Sequence, residues 1–268
     1  MASDGITKLQ LAQYMIAVGD AFVLATGDRP VSLQRFPEGV DGEAFFSKNP
    51  PKGAPDFIRS APVVYPSGRS HPQLVIDEPA AAVWAVQMNT ITFHPWALRT
   101  ENTDNPDQFR IDLDPQPETD FRDAARIAVE LRAVMAEAGL TAFIKTSGSR
   151  GVHVFAPIAP DHEFLEVRHA VIAAARELER RMPTEVTTSW WKEQRGAKVF
   201  VDYNQANRDR TMAGAYSARP LAMAPVSTPL EWSERDLGNG VGELPFPPDF
   251  PKMPGEPPRV QPSRAKKS

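Results

Sequence analysis

The run Phe109-Arg110-Ile111-Asp112-Leu113-Asp114-Pro115 alternates apolar and polar side chains with period two. That is the pattern of a strand with one buried face. Phe109, Ile111 and Leu113 share the buried side. Asp112 and Asp114 share the other, about 6.5 Å apart along the strand. Two carboxylates at that spacing repel each other unless a cation lies between them, and hard oxygen ligands suit Mg²⁺ or Mn²⁺. Pro115 has no N–H to extend the ladder and sets the pair at a strand end. Taken alone, the same residues also fit an exposed edge strand running into an Asp-Pro turn.

Working outward, residues 120–138 predict a helix, with Ile127, Leu131, Val134 and Ala138 on one stripe and Gly139 closing it. Residues 142–146 and 152–158 predict strands around a glycine-rich turn. Asp161 is expected to cap a second long helix reaching Met182, with Phe164, Val167, Val171, Ala174 and Leu178 inward and Pro183 as its stop. Residues 198–203 read as a strand whose Asp202 follows an apolar run. N-terminal to the Asp pair, residues 8–25 read as a helix, 27–30 as a turn, 31–36 as a strand and 39–48 as a hairpin-like return. Short strand-like pieces fall at 62–65 and 73–76, and a small-residue helix at 80–88. Helices and strands interleave without a regular βαβ repeat, which predicts an α+β fold with a mostly antiparallel or mixed sheet. From Pro245 onward, eight of 24 residues are proline and the end is basic, so 245–268 is expected to be an extended tail.

The 268 residues contain no cysteine, which excludes thiol catalysis, disulfides, zinc fingers and iron–sulfur clusters. No N-terminal basic and apolar leader is apparent, and no run of about 18 apolar residues suggests a membrane span. A cytoplasmic location is the expectation. The net charge of −4 offers no bulk attraction to nucleic acid, but charge is unevenly placed. Residues 100–140 hold ten acidic and four basic side chains, whereas 180–220 hold eight basic and four acidic. Such blocks suit a site that holds metal ions near a polyanion, and equally suit ordinary helix surfaces.

Thr146-Ser147-Gly148-Ser149-Arg150-Gly151-Val152-His153 lies between two predicted strands. Its glycines free the backbone so that N–H groups could converge on an oxyanion, with Arg150 and His153 adding charge. A plain Ser-Gly hairpin is the alternative. No helix with Gly-Lys-Ser/Thr follows, so this is not a Walker loop. Trp190 and Trp191, and Phe45 and Phe46 ahead of Lys48, are candidates for stacking on bases; packing inside the fold is the competing reading. His162 and His169 are expected on the surface.

Three stretches, residues 109–115, 146–157 and 199–219, together resemble the conserved motifs of the polymerase domain of bacterial ligase D, within the archaeo-eukaryotic primase superfamily. Ile6-Thr7-Lys8, residues 29–36 and 41–48, His94-Pro95-Trp96 and Pro229-Leu230-Glu231-Trp232 extend the resemblance over roughly residues 6 to 235. It implies an RRM-like catalytic core with a second α/β lobe, forming one unit over residues 1–244. It also implies a primase-polymerase that adds nucleotides, preferably ribonucleotides, at DNA gaps or breaks in end-joining repair; with no ligase or nuclease stretch in the sequence, a stand-alone member is the expectation. By position, Asp112, Asp114 and Asp202 become ligands of two Mn²⁺ or Mg²⁺ ions. Ser147, Arg150, His153 and Arg219 become triphosphate contacts and His94 a nucleotide contact, with Gln205 and Arg35 lining the same site. Phe46, Lys48 and Lys52 fall to DNA, and Lys8 to a 5′-phosphate. Partners implied are gapped or broken DNA, a separate DNA ligase and a Ku-type end-binding protein. Two departures stand out: Arg150 occupies a position that is lysine in many relatives, and Leu221 one that is arginine. The competing functions are a non-catalytic DNA-end-binding module and an Asp-dependent phosphohydrolase; the second lacks the Thr or Val expected after Asp114.

Overall fold

The computed structural model describes residues 5–65 and 67–233, so the expected boundary at 244 and the proline-rich 245–268 lie outside the described residues. The chain opens with α1 (Lys8–Thr26), capped by Thr7, whose hydroxyl accepts from Gln10 N–H while Gln10 Oε1 accepts from Thr7 N–H. Gly27, at φ 44°, ends the helix in the left-handed region. Then come β1 (Pro30–Arg35), β2 (Phe45–Ser47), β3 (Arg59–Val64), β4 (Ser70–Val75), α2 (Pro79–Gln87) and β5 (Thr90–Pro95). These strands form an antiparallel sheet in the order β2-β1-β4-β3, with β5 pairing on β1. Its core is Leu33, Leu74, Phe93 and their neighbours, covered by Tyr14, Met15, Val18 and Phe22 of α1 and by Ala81, Ala82, Ala85 and Val86 of α2. Length and mean hydropathy would let α1 cross a membrane, but these buried side chains make it a core helix of this lobe.

The second half is β6 (Gln108–Pro115), α3 (Phe121–Glu137), β7 (Phe143–Thr146), β8 (Val152–Pro157), α4 (Phe164–Arg181), β9 (Val186–Thr187), β10 (Val199–Asp202) and β11 (Pro229–Leu230). The order β11-β7-β8-β6-β10-β9 contains a strand–helix–strand–strand–helix–strand unit with β6 and β8 central, the RRM-like arrangement expected. All pairings are antiparallel except β9 on β10, so the α+β expectation with mixed sheets is met. Phe109, Ile111 and Leu113 pack with Val152, Val154, Val199 and Val201 against the apolar stripes of α3 and α4. Asp120 caps α3 through Arg122 N–H and Asp123 N–H. The cap of α4 is Glu163 rather than Asp161, because Glu166 reaches back to Glu163 N–H at 2.9 Å and fixes the first turn two residues later. Ala175, not Ala174, completes the fully buried face of α4.

Three features join the sheets. Buried Arg29, at the start of β1, makes a bidentate pair with Asp107 at 2.5 and 2.6 Å just before β6. Buried Arg110 of β6 donates to the carbonyls of Pro95 and Trp96 at 3.0 and 2.7 Å. Burial pulls Arg110 down to about 9, so its carbonyl bonds compensate a costly position. The segment 207–228 then crosses from one sheet to the other: Ala218 O accepts from Thr92 of β5, and Val226 O accepts from Thr146 of β7.

Candidate active site

Antiparallel register does most of the assembly. Across the second sheet, Lys145 of β7 pairs with His153 of β8, His153 with Asp112 of β6, and Asp112 with Asp202 of β10. Four charged or titratable residues therefore stand in one row on the face away from α3 and α4. Directly opposed residues hold their Cβ atoms about 4.5–5.5 Å apart, which brings the Asp112 and Asp202 carboxylates together. Asp114 lies two residues along the same strand and face.

Burial, then repulsion from Asp114 and Asp202, pushes Asp112 up to about 7. Asp114 is also raised, chiefly by burial, against a hydrogen bond from Gln116 Nε2 at 3.1 Å. Asp202 is held by a dense set of donors: Asn204 N–H and Nδ2 at 3.0 Å each on Oδ1, and Gln205 Nε2 at 2.9 Å on Oδ2. No three acidic or histidine side chains among the described residues already converge on one point. The donor set nevertheless fits hard divalent cations: it is all oxygen, and the mutual repulsion that raises Asp112 is what a cation would relieve.

Facing this row are Arg219, on the crossing segment, and His94, on β5. Arg219 Nε and His94 Nε2 are both buried without a hydrogen-bond partner. Buried polar atoms are normally paired, so two orphans beside a carboxylate row mark a place for a polar ligand. Burial lowers Arg219, with Asp112 opposing. Burial and the nearby Arg219 and Lys145 charges push His94 down to about 3, so it is neutral. His153 is likewise held well below its ordinary value, by burial and then by Lys145 and Arg219; its Nε2 lies 3.6 Å from Asp112 Oδ1.

The Ser-Gly loop is shaped by close approach. A Cβ on Gly151 would lie 2.1 Å from Leu113 O, and Gly148 adopts φ +67° with Ser227 N and the Arg219 side chain against it. Only glycine fits either place without displacing β6 or Arg219. Part of the loop's N–H capacity is used within the loop itself. Ser149 N–H and Gly151 N–H donate to Ser147 Oγ at 3.1 and 3.2 Å, closing the loop on itself. Arg150 donates to the carbonyls of Gln116 and Thr119, at 3.3 and 2.9 Å, and so pins the turn after Asp114.

The DNA candidates sit on the first sheet. Phe45 and Phe46 are 44% and 51% exposed, which rules out core packing for them. With Lys48, Tyr65, Arg69 and His71 they line an open groove of about 580 Å³. Phe46 also meets the His94 ring edge-on at 5.2 Å, so the groove runs into the site. Lys48 Nζ lies over Tyr65 at 5.1 Å. Arg35 is not drawn to the aspartate row; it donates to Met88 O at 2.7 Å and stacks on Phe45. Lys52 is exposed between β2 and β3. Lys8 donates to Gln87 O at 3.2 Å and lines a separate hollow of about 300 Å³ with Phe36 and Asn89. Trp190 and Trp191 are exposed too, while His162 and His169 are on the surface as expected.

Sequence reading passed over Lys145, Asn204 and Arg195. Lys145 is buried, with Nζ 2.6 Å from His153 Nδ1 and 2.7 Å from both Ala213 O and Ser227 Oγ. A lysine inside an otherwise apolar strand was the available signal. Arg195 stacks on Phe200 at 3.4 Å and counteracts the rise at Asp114.

Residues 7–241 match the family model described as the LigD primase-polymerase domain. The chain is 34% identical over 239 residues to the multifunctional non-homologous end joining protein LigD of Pseudomonas aeruginosa, covering 88% of this chain and 28% of that protein. It is 31% identical over 229 residues to the bifunctional non-homologous end joining protein LigD of Bacillus subtilis, covering 85% of this chain and 36% of that protein. The chain thus spans between 28% and 36% of the length of these two relatives. Its fold is similar to the polymerase domain from Mycobacterium tuberculosis ligase D, solved in complex with DNA. The TM-score is 0.81 and the identity 29%, over 87% of this chain and 84% of that one.

Proposed function

Since the chain belongs to the LigD primase-polymerase domain family, we propose that it is a template-directed nucleotidyltransferase that adds nucleotides to 3′ ends at DNA gaps or breaks during end joining. The observation that carries this reading is the cross-strand row His153–Asp112–Asp202 facing the unpartnered Arg219 Nε and His94 Nε2 at the junction of the two sheets. Asp112, Asp114 and Asp202 are the residues that would hold two divalent ions, Mg²⁺ or Mn²⁺, whose chemistry when bound is to activate a 3′-hydroxyl and to neutralise charge on leaving pyrophosphate.

The chain's own residues supply the rest. Arg219 presents a fixed guanidinium for phosphate oxygens, and His153 an imidazole beside Asp112. Both are desolvated, which strengthens each contact. Asn204 and Gln205 keep Asp202 in one rotamer, and Arg150 holds the turn that follows Asp114. Phe45 and Phe46 offer stacking faces to bases, while Lys48 and Arg69 offer charge to the backbone. Lys8, with Lys52 as the next candidate, takes a downstream 5′-phosphate. In this reading the preferred substrate is a ribonucleoside triphosphate, and the filled end passes to a DNA ligase, with a Ku-type protein holding the ends.

The test is extension of a primed, gapped DNA by the wild-type chain, with Mn²⁺, Mg²⁺ or chelator and with ribo- or deoxynucleoside triphosphates. Templated, metal-dependent addition that favours ribonucleotides is expected. Absence of addition by folded, DNA-binding protein would leave an end-binding module instead.

A further inference from the structure

Asp202 ends β10, and the short 3-10 turn Tyr203–Ala206 that follows it packs against α4. From α4, Arg168 reaches into that turn. Its Nη2 donates to Asn204 Oδ1 at 3.3 Å, and its guanidinium carbon lies 5.7 Å from the centre of the Tyr203 ring. Asn204 is buried, and Arg168 Nε is shielded from solvent with no hydrogen-bond partner among the described residues. Water therefore competes little for this contact.

An asparagine amide has an accepting oxygen on one side and a donating nitrogen on the other, so its orientation decides which of them meets Asp202. A guanidinium only donates, and it is not deprotonated in proteins. The atom facing Arg168 is therefore the amide oxygen. That leaves Asn204 Nδ2 for Asp202 Oδ1 at 3.0 Å, beside the Asn204 N–H on the same oxygen at 3.0 Å. Turned over, the amide would set its NH₂ against the guanidinium, donor against donor, and would withdraw one donor from Asp202. We propose that Arg168 is a positioning residue: acting from α4 through Asn204, it fixes the amide with its donor on Asp202 and so holds that carboxylate in one orientation for a divalent cation.

The contacts run outward from the site, Asp202 to Asn204 to Arg168, and each link joins one donor to one acceptor. No step in the chain depends on a change of protonation. Gln205 Nε2 holds the other Asp202 oxygen at 2.9 Å, so losing Arg168 should loosen the carboxylate rather than release it. Residues that orient a metal ligand by hydrogen bonding change metal affinity by about 10–100-fold when removed. Arg168 stands one contact further out and belongs at the lower end of that range. The cation rests on the nucleotidyltransferase reading; the orientation of the amide does not.

The experiment titrates Mn²⁺ alone into the full chain, without nucleotide or DNA, and follows free ion by electron paramagnetic resonance. Wild type, Arg168→Met, Asn204→Ala and the double variant are compared. Arg168→Met is expected to bind Mn²⁺ about tenfold more weakly. Asn204→Ala should lose at least as much, and the double variant no more than Asn204→Ala, because Arg168 acts only through the amide. Additive losses, or wild-type Mn²⁺ affinity in folded Arg168→Met, would overturn the proposal and leave the metal site in place. No Mn²⁺ binding by the wild type would instead overturn the metal site and this role together, so the two failures are told apart. A second measurement needs no Arg168 variant to fold: ¹⁵N NMR of the wild-type Asn204 side-chain amide, assigned by its loss in Asn204→Ala. Slowly exchanging Nδ2 protons are expected, and rapidly exchanging ones would overturn the orientation.

Discussion

The two sheets carry their functional side chains in opposite ways. On the second sheet they stand in a cross-strand row: Lys145 and His153 are withdrawn from water, at 6% and 4% exposed, Asp112 and Asp202 are half-buried, and Arg219 faces them from the crossing segment. On the first sheet Phe45, Phe46, Lys48 and Arg69 lie open along a groove. Desolvated charges act strongly on a small, highly charged group that must be held at one geometry. Exposed aromatics and cations suit a long polymer bound with little regard to sequence. On the proposed reading the contrast divides the labour: chemistry and triphosphate on the second sheet, DNA on the first, with His94 and its neighbour Phe46 at the seam.

The largest effect expected to sharpen this division is at Asp202. Asp202→Ala removes a proposed metal ligand and leaves Asn204 and Gln205 without their acceptor. Extension should fall by about a thousandfold or more, since cation stabilisation at such centres is worth several kcal/mol. Steady-state rates on a gapped duplex check this. Next come Arg219→Ala and His153→Ala. Each should weaken nucleoside triphosphate binding by about ten- to a hundredfold while DNA affinity holds, as lost charge-assisted contacts of about 1.5–3 kcal/mol imply. Calorimetric titration with a non-hydrolysable triphosphate reads it. At Lys8, where the ammonium is partly exposed, Lys8→Ala should erase no more than a several-fold preference for gaps bearing a 5′-phosphate. Equal use of phosphorylated and unphosphorylated gaps by the wild type would remove that role.

The smallest effect is on stability, and its sign is specific. Asp112 lies at about 7 in the fold against 3.8 ordinarily. The protonated form is thus favoured by folding, and the stability it gives is full below pH 3.8 and lost as pH rises through about 7. Metal-free Asp112→Asn should therefore melt a few degrees above the wild type at pH 8 and level with it near pH 3.8, by differential scanning calorimetry. Added Mn²⁺ should stabilise the wild type at pH 8 but not the variant.

Much of this was legible before the structure. Alternation in 109–115 gave β6 its faces, and the stripes of α3 and α4 showed which side they cover. The cross-strand row was not legible, because register is not local: nothing in the sequence says that His153 falls opposite Asp112 and Lys145 opposite His153. Strand β5 was missed for a related reason. Its Thr90, Thr92 and His94 look like a solvent face, yet all six residues are buried beneath the crossing segment, with Thr92 satisfied by Ala218 O. Nor does the sequence show that Ser147 Oγ accepts from Ser149 N–H and Gly151 N–H, or that Arg150 donates to Thr119 O in the turn after Asp114, because both contacts exist only once the turns have folded.

The central claim is that the two sheets divide chemistry from DNA binding, and one paired measurement tests it. Asp112→Ala and Phe46→Ala are each compared with wild type on the same fluorescent gapped DNA. Equilibrium affinity is recorded by anisotropy without nucleotide, and the extension rate at saturating DNA and nucleotide. The account predicts opposite losses: Asp112→Ala keeps wild-type DNA affinity and loses extension, while Phe46→Ala loses about tenfold in affinity, the worth of one stacked base, and extends near the wild-type rate once saturated. Parallel losses in both variants, or extension by Asp112→Ala at the wild-type rate, would contradict it.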